Sequence, residues 1–176
     1  MRHGAWSMLG AVGVLLLTSG CVAIEAGHEG VMVEQPFFFG HGGVDPAPSK
    51  TGRVWVAPTT KVIEVDVRPL QYSEHFDIIS AENAPVSFDA FMIANVVESR
   101  SPELISRYGP NWYQNNVKEA FRTFVREEVQ RYPLFQLTTD PTTRTKLQDA
   151  IAREVQTKLI DKQNLPIRLN RVVVGS

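Results

Sequence analysis

The apolar residues of this chain change their period close to residue 100, and that change limits what it can fold into. Before it, they alternate. In Lys61 to Arg68 (KVIEVDVR), Ile63, Val65 and Val67 point one way and Glu64, Asp66 and Arg68 the other, the two-residue repeat of a strand with one buried face. Pro85 to Val97 repeats the pattern over a greater length, with Val86, Phe88, Ala90, Met92, Ala94 and Val96 on one face. Phe91 and Ile93 on its other face imply that both sides are partly covered. After residue 100 the spacing becomes helical. Tyr113, Val117, Ala120, Phe121, Phe124 and Val125 form one apolar stripe, and Leu147, Ile151, Val155 and Leu159 follow at strict four-residue intervals. Strands first, then helices, then a returning strand over Ile167 to Val174 imply an α+β domain. Its mixed, mostly antiparallel sheet should carry two to three helices on one side.

The joints between these segments carry their own signals. Gly30 to Gln35 and Arg53 to Ala57 read as shorter strands, separated by a Gly/Pro-rich loop from Gly40 to Thr51 (GHGGVDPAPSKT). Asp77 to Ser80 leads into Ala81-Glu82-Asn83-Ala84, a hairpin turn in which Asn83 can take a positive φ. Ser101-Pro102-Glu103 reads as a helix start, with Ser101 as cap and Pro102 at the first helical position. Asn111 opens a second helix that ends by Tyr132-Pro133, and Asp140-Pro141 opens a third.

The N-terminus is of a different kind. From Gly4 to Ile24 the chain carries no formal charge, and its most apolar part, Met8 to Leu17, follows a short basic start and precedes Thr18-Ser19-Gly20-Cys21. That is the layout of a secretory signal. The Thr-Ser-Gly-Cys end resembles the lipobox of bacterial lipoproteins, which implies cleavage before Cys21 and acylation of its sulfur and new amino group (a palmitate-type anchor). Thr18 stands where that family prefers Leu. Two other readings stand beside it: an uncleaved transmembrane anchor, although its many Gly and Ser residues make a poor spanning helix, and a cleaved signal with an incidental cysteine. The division expected is a signal peptide over 1–20, a lipid-anchored segment over 21–29 and one domain over 30–176. Three acyl chains would hold the protein firmly, since stable attachment takes about two. Val22 is not the aspartate that retains lipoproteins in the inner membrane of enterobacteria, so the expected location is a bacterial membrane, inner or outer, with the domain facing the periplasm or the exterior.

From about Gly27 to Val174 the segments resemble, in order and spacing, the SPFH or Band 7 domain of prohibitins, stomatins and flotillins. The resemblance begins at Gly30-Val31-Met32-Val33 and passes through Thr51-Gly52-Arg53-Val54-Trp55-Val56-Ala57-Pro58, similar to a Pro-Gly-x-x-x-x-x-Pro element. It continues in the strand ending Asp66-Val67-Arg68, the family's Asp-x-Arg, and in the hairpin from Ile78 to Phe88, where Glu82-Asn83 replaces Asp-Gly. Ala120-Phe121-Arg122 with Val125-Arg126-Glu127 looks like its Ala-x-Arg and Arg-Glu helix, and Leu137-Thr138-Thr139-Asp140 fits the approach to its last helix. The Gly40 to Thr51 loop is longer than in short prohibitins, and the coiled coil that usually follows the domain is missing after Val174. The resemblance implies a non-enzymatic scaffold that forms homo-oligomers, contacts membrane lipid and partners a membrane-bound ATP-dependent protease. A monomeric lipid-anchored binding module is the competing expectation.

Composition and motifs exclude much else. Net charge is −1, which provides no field for nucleic acid. One cysteine cannot form an internal disulfide or a thiolate-rich zinc site. His28, His41 and His75 lie at no metal-ligand spacing, and Gly40-His41-Gly42-Gly43 is unaccompanied by a Gly-x-Ser-x-Gly elbow. No cofactor, metal or catalytic residue is therefore expected. Phe37, Phe38 and Phe39 are candidates for membrane contact, because adjacent strand residues cannot all face one core and aromatic rings suit the bilayer boundary. Arg122, Arg126 and Glu127, within a mixed-sign helix face that also holds Glu119, Glu128 and Arg131, are candidates for an oligomer interface. The plainer reading of that face is solvation, with ion pairs contributing about 0.3–0.5 kcal/mol each.

Overall fold

The structure, a computed structural model, describes residues 20–36, 42–79 and 83–175. Among the described residues there are eight strands: β1 (Gly20–Ile24), β2 (His28–Glu34), β3 (Gly43–Val44), β4 (Gly52–Val56), β5 (Thr60–Asp66), β6 (Leu70–Ile79), β7 (Pro85–Val96) and β8 (Ile167–Gly175). Between β7 and β8 lie α1 (Ser101–Tyr108), α2 (Lys118–Val129), α3 (Leu134–Thr139) and α4 (Pro141–Glu154). A π-helical turn, Tyr113–Val117, leads into α2, and another, Val155–Asp161, extends α4. The α+β class and the antiparallel pairing are as the sequence implies. The strands form three sheets rather than one: β1-β4, β3-β2-β5 and β6-β7-β8.

The alternation of β7 decides how the largest sheet is used. Phe88, Ala90, Met92, Ala94 and Val96 are all buried, joined by Phe76 and Ile78 of β6 and Val172 of β8. Against this face pack Phe121, Val125 and Val129 of α2 and Leu147 and Ile151 of α4. Phe76 stacks on Phe88 with ring centroids 5.2 Å apart. The Asn83 expected to turn the hairpin has φ 57°, and the pairing beyond it runs without interruption from Ile79↔Pro85 to Leu70↔Ala94. Residues 80–82 of that turn lie outside the described residues.

The strict four-residue spacing has a structural cause. Four residues overshoot one α-helical turn by about 40°, so a four-residue repeat drifts around an α-helix. The wider i→i+5 turn of a π segment takes that drift back. Leu147, Ile151, Val155 and Leu159 are all 1% exposed or less, and Val155–Asp161 is π-helical. Tyr113, Val117, Phe121, Val125 and Val129 repeat the spacing on α2 and are also buried, again with a π turn among them. Both helices thus keep these residues within the buried core.

Smaller features tie the N-terminal strands together. The Asp66-Val67-Arg68 motif closes on itself. Arg68 Nε and Nη2 donate to Asp66 Oδ1 and Oδ2 at 2.9 and 2.6 Å, and the Arg68 backbone N–H adds a third bond at 2.9 Å. That pairing holds the Asp66 carboxyl below its ordinary range. The Arg68 stem lies over Gly27, where a Cβ would come within 2.6 Å of Arg68 Cδ and where φ is +83°. The positive φ is what favours glycine there, the Arg68 stem being a flexible and largely exposed side chain. The Gly/Pro-rich loop is pinned to β2, since Gly30 and Ser49 exchange backbone hydrogen bonds of 2.8 and 2.9 Å.

Two expectations need correction. Ser101 does not cap α1. Arg100 occupies the position before the helix and no side chain caps it. Ser101 is fully buried, and its hydroxyl donates to Glu29 Oε2 at 2.5 Å. The Ser99 backbone N–H donates to Oε1 of the same carboxylate at 2.6 Å. A buried carboxylate needs donors, and the entrance to α1 provides the Glu29 carboxylate of β2 with two. Pro102 is the second helical residue rather than the first, because the helix starts one residue earlier, at Ser101.

Candidate functional site

The anchor candidate Cys21 lies in β1, a strand that the sequence reading left unmarked. Its register on β4 pairs Cys21 with Trp55 and Ala23 with Arg53. All four are exposed, whereas Val22, Val54 and Val56 are half-buried and Ile24 is buried. The ribbon is therefore two-faced: one side carries the buried Ile24 with the half-buried valines, and the other carries Cys21, Ala23, Arg53 and Trp55. Trp55 is 73% exposed. Cys21 is a free thiol. Residues 1–19 and Phe37, Phe38 and Phe39 lie outside the described residues.

The helix-face candidates separate into two kinds. Arg122 is committed within the chain. Its Nη1 donates to Glu74 Oε2 at 2.9 Å and to the His75 carbonyl at 3.2 Å, and its guanidinium carbon sits 5.1 Å from the Phe76 ring centre. Glu74, 6% exposed, also accepts from the Tyr113 hydroxyl at 3.2 Å and lies 3.5 Å from Lys118 Nζ. Burial, with the nearby Glu74 charge second, pushes the Tyr113 hydroxyl well above its ordinary value. This cluster fastens α2 and its π turn to β6. Glu128 is likewise buried and paired with Arg131 Nη1 at 2.6 Å. Arg126 and Glu127 are exposed, together with Glu119, so they are the members of that face open to a partner.

A polar cluster that sequence reasoning missed lies on the outer face of the hairpin. His75 Nδ1 is 2.7 Å from Asp89 Oδ1, Ser87 Oγ is 3.3 Å from His75 Nε2, and Asp77 Oδ1 is 3.5 Å from Nε2. The hydrogen bond to Asp89 leads in raising the imidazole above its ordinary range, and the Asp77 charge adds to it. The signal was present: a hairpin centred on residue 82 places 75 opposite 89 and 77 opposite 87. Serine, histidine and aspartate in this order are the parts of an acyl-transfer relay. Acyl transfer also needs a substrate cavity and oxyanion donors. The groove that Ser87 borders, about 210 Å³ and lined by Phe88, Val129, Leu137, Leu147 and Val174, includes neither His75 nor Asp89. The cluster is an exposed ion-pair group on a flat sheet face. Among the described residues, no group of three or more His, Cys, Asp or Glu side chains could hold a metal ion.

With strands leading into a helical layer, a self-closed Asp-x-Arg and a helix locked to the sheet through Arg122, the comparison with known families is decisive. The family model of the SPFH domain / Band 7 family matches residues 22–175. The chain belongs to that family. Its match begins one residue after Cys21 and takes in every strand and helix from β2 to β8. The SPFH/Band 7 family is generally membrane-associated and serves as non-enzymatic scaffolding. No curated protein matches the sequence. No helix among the described residues is long and apolar enough to cross a membrane.

Proposed function

We propose that this SPFH/Band 7 domain is a membrane-anchored scaffold, attached through acylated Cys21, that assembles with copies of itself and organises lipids or other membrane proteins on the periplasmic or exterior side of a bacterial membrane. The observation that carries the reading is positional. The family domain starts at residue 22, directly after a cysteine preceded by a signal-like segment and small residues. A membrane-bound ATP-dependent protease is the client that the family resemblance favours, and its regulation is part of the proposal. Mass spectrometry of the mature N-terminus tests the attachment. Acylated Cys21 as the first residue supports it, and an unmodified Cys21 or an intact Met1 contradicts it. The competing reading, a monomeric lipid-anchored binding module, rests on sheet edges such as that of β8, which among the described residues pairs with β7 alone.

A further inference from the structure

We infer that the outer face of the β1-β4 ribbon, carrying Trp55 and Arg53 beside Cys21, is the surface on which the domain lies against a phospholipid bilayer. The inference rests on the proposed attachment at or before Cys21 and adds to it an orientation.

Geometry leaves the ribbon little freedom. β1 begins at Gly20, so the folded ladder starts at the attachment point itself, with no spacer between them. Cys21 and Trp55 are direct cross-strand partners, and side chains so placed stand on the same face with Cβ atoms about 5 Å apart. Whatever seats Cys21 at the bilayer brings Trp55 to the same depth. Arg53 lies two residues further along β4 on that face, about 7 Å away.

The chemistry of the face suits the lipid boundary. An indole 73% exposed on a two-stranded ribbon leaves most of its surface uncovered by the domain. At the membrane interface its ring can enter the acyl boundary while its N–H stays hydrated. A guanidinium one step outward can take headgroup phosphate oxygens through paired hydrogen bonds. On the reverse face Ile24 is buried and lies over Gly30 of β2, and Val22 and Val54 are half-buried. No acidic side chain lies among the four residues of the outer face.

Tryptophan fluorescence of the full chain, extracted from bacterial membranes and reconstituted into phosphatidylethanolamine/phosphatidylglycerol vesicles, tests this. A Trp6→Phe background removes the indole of the N-terminal segment, leaving Trp55 and the buried Trp112. Brominated acyl chains should quench a component of the emission that Trp55→Phe removes, and aqueous iodide should fail to reach that component. Arg53→Glu should lower the bromolipid quenching and raise the iodide quenching. If the protein is vesicle-bound and Trp55 remains open to iodide and untouched by bromolipid, the orientation is wrong while the attachment stands. If the protein does not partition and Cys21 is unmodified, the attachment fails and the orientation with it. Both substitutions are at exposed positions, and unchanged circular dichroism would show that the fold is intact.

Discussion

Replacing Glu74 tests whether the helical layer is fastened to the large sheet as the geometry indicates. In Glu74→Ala, Arg122, Lys118 and Tyr113 all lose an acceptor. The Arg122 bond, at 2.9 Å to a carboxylate 6% exposed, is charge-assisted and worth about 1.5–3 kcal/mol. The Tyr113 hydroxyl, whose residue is 7% exposed, adds about 1 kcal/mol. Lys118 is a third exposed and 3.5 Å away, so its share is that of a surface pair, under about 1 kcal/mol. Together these give a destabilisation of about 3–5 kcal/mol, the range found when one partner of a buried pair is removed. Glu74→Gln keeps the shape and one acceptor and should cost about half as much. Urea unfolding of the reconstituted or detergent-held chain should show a lower midpoint with an unchanged slope. A double-mutant cycle with Arg122→Met should give a coupling of about 1–3 kcal/mol. A loss below about 1 kcal/mol for Glu74→Ala, or no coupling, would refute the claim that this cluster holds α2 to β6.

Two further outcomes follow from polar contacts elsewhere in the domain. His75 should titrate above its ordinary value in an NMR pH series, and Asp89→Asn should bring it down. Because folding raises this pKa, the stability it contributes is complete below about 6.5 and fades as pH rises through the folded value; equal midpoints for wild type and Asp89→Asn would be contrary evidence. Ser101→Ala should cost about 1–3 kcal/mol by leaving one Glu29 oxygen without its donor, and an unchanged melting temperature would show that the Glu29 contact carries no weight.

What was legible in the sequence is what repeats along it. β5, β7 and β8, the stripes of α2 and α4 and the turn at Asn83 each follow from local spacing. β1 was hidden because Gly20–Ile24 continues the uncharged N-terminal segment, and only the pairing of Val22 and Ile24 against β4 distinguishes it. α3 is six residues long and ends in two threonines, too short for a period to show. The contacts that fasten the layers were invisible for another reason. Glu29 meets Ser101 across 72 residues and Glu74 meets Arg122 across 48, distances over which no local pattern operates. The same holds for the candidate surface: Trp55 has meaning only once β4 places it opposite Cys21.

Assembly at the membrane is the central claim, and multi-angle light scattering of the detergent-solubilised full chain tests it most directly. The scaffold reading predicts a protein mass several times that of one mature chain, corrected for detergent and persisting on dilution. A single chain at every concentration would contradict it and favour the monomeric binding module.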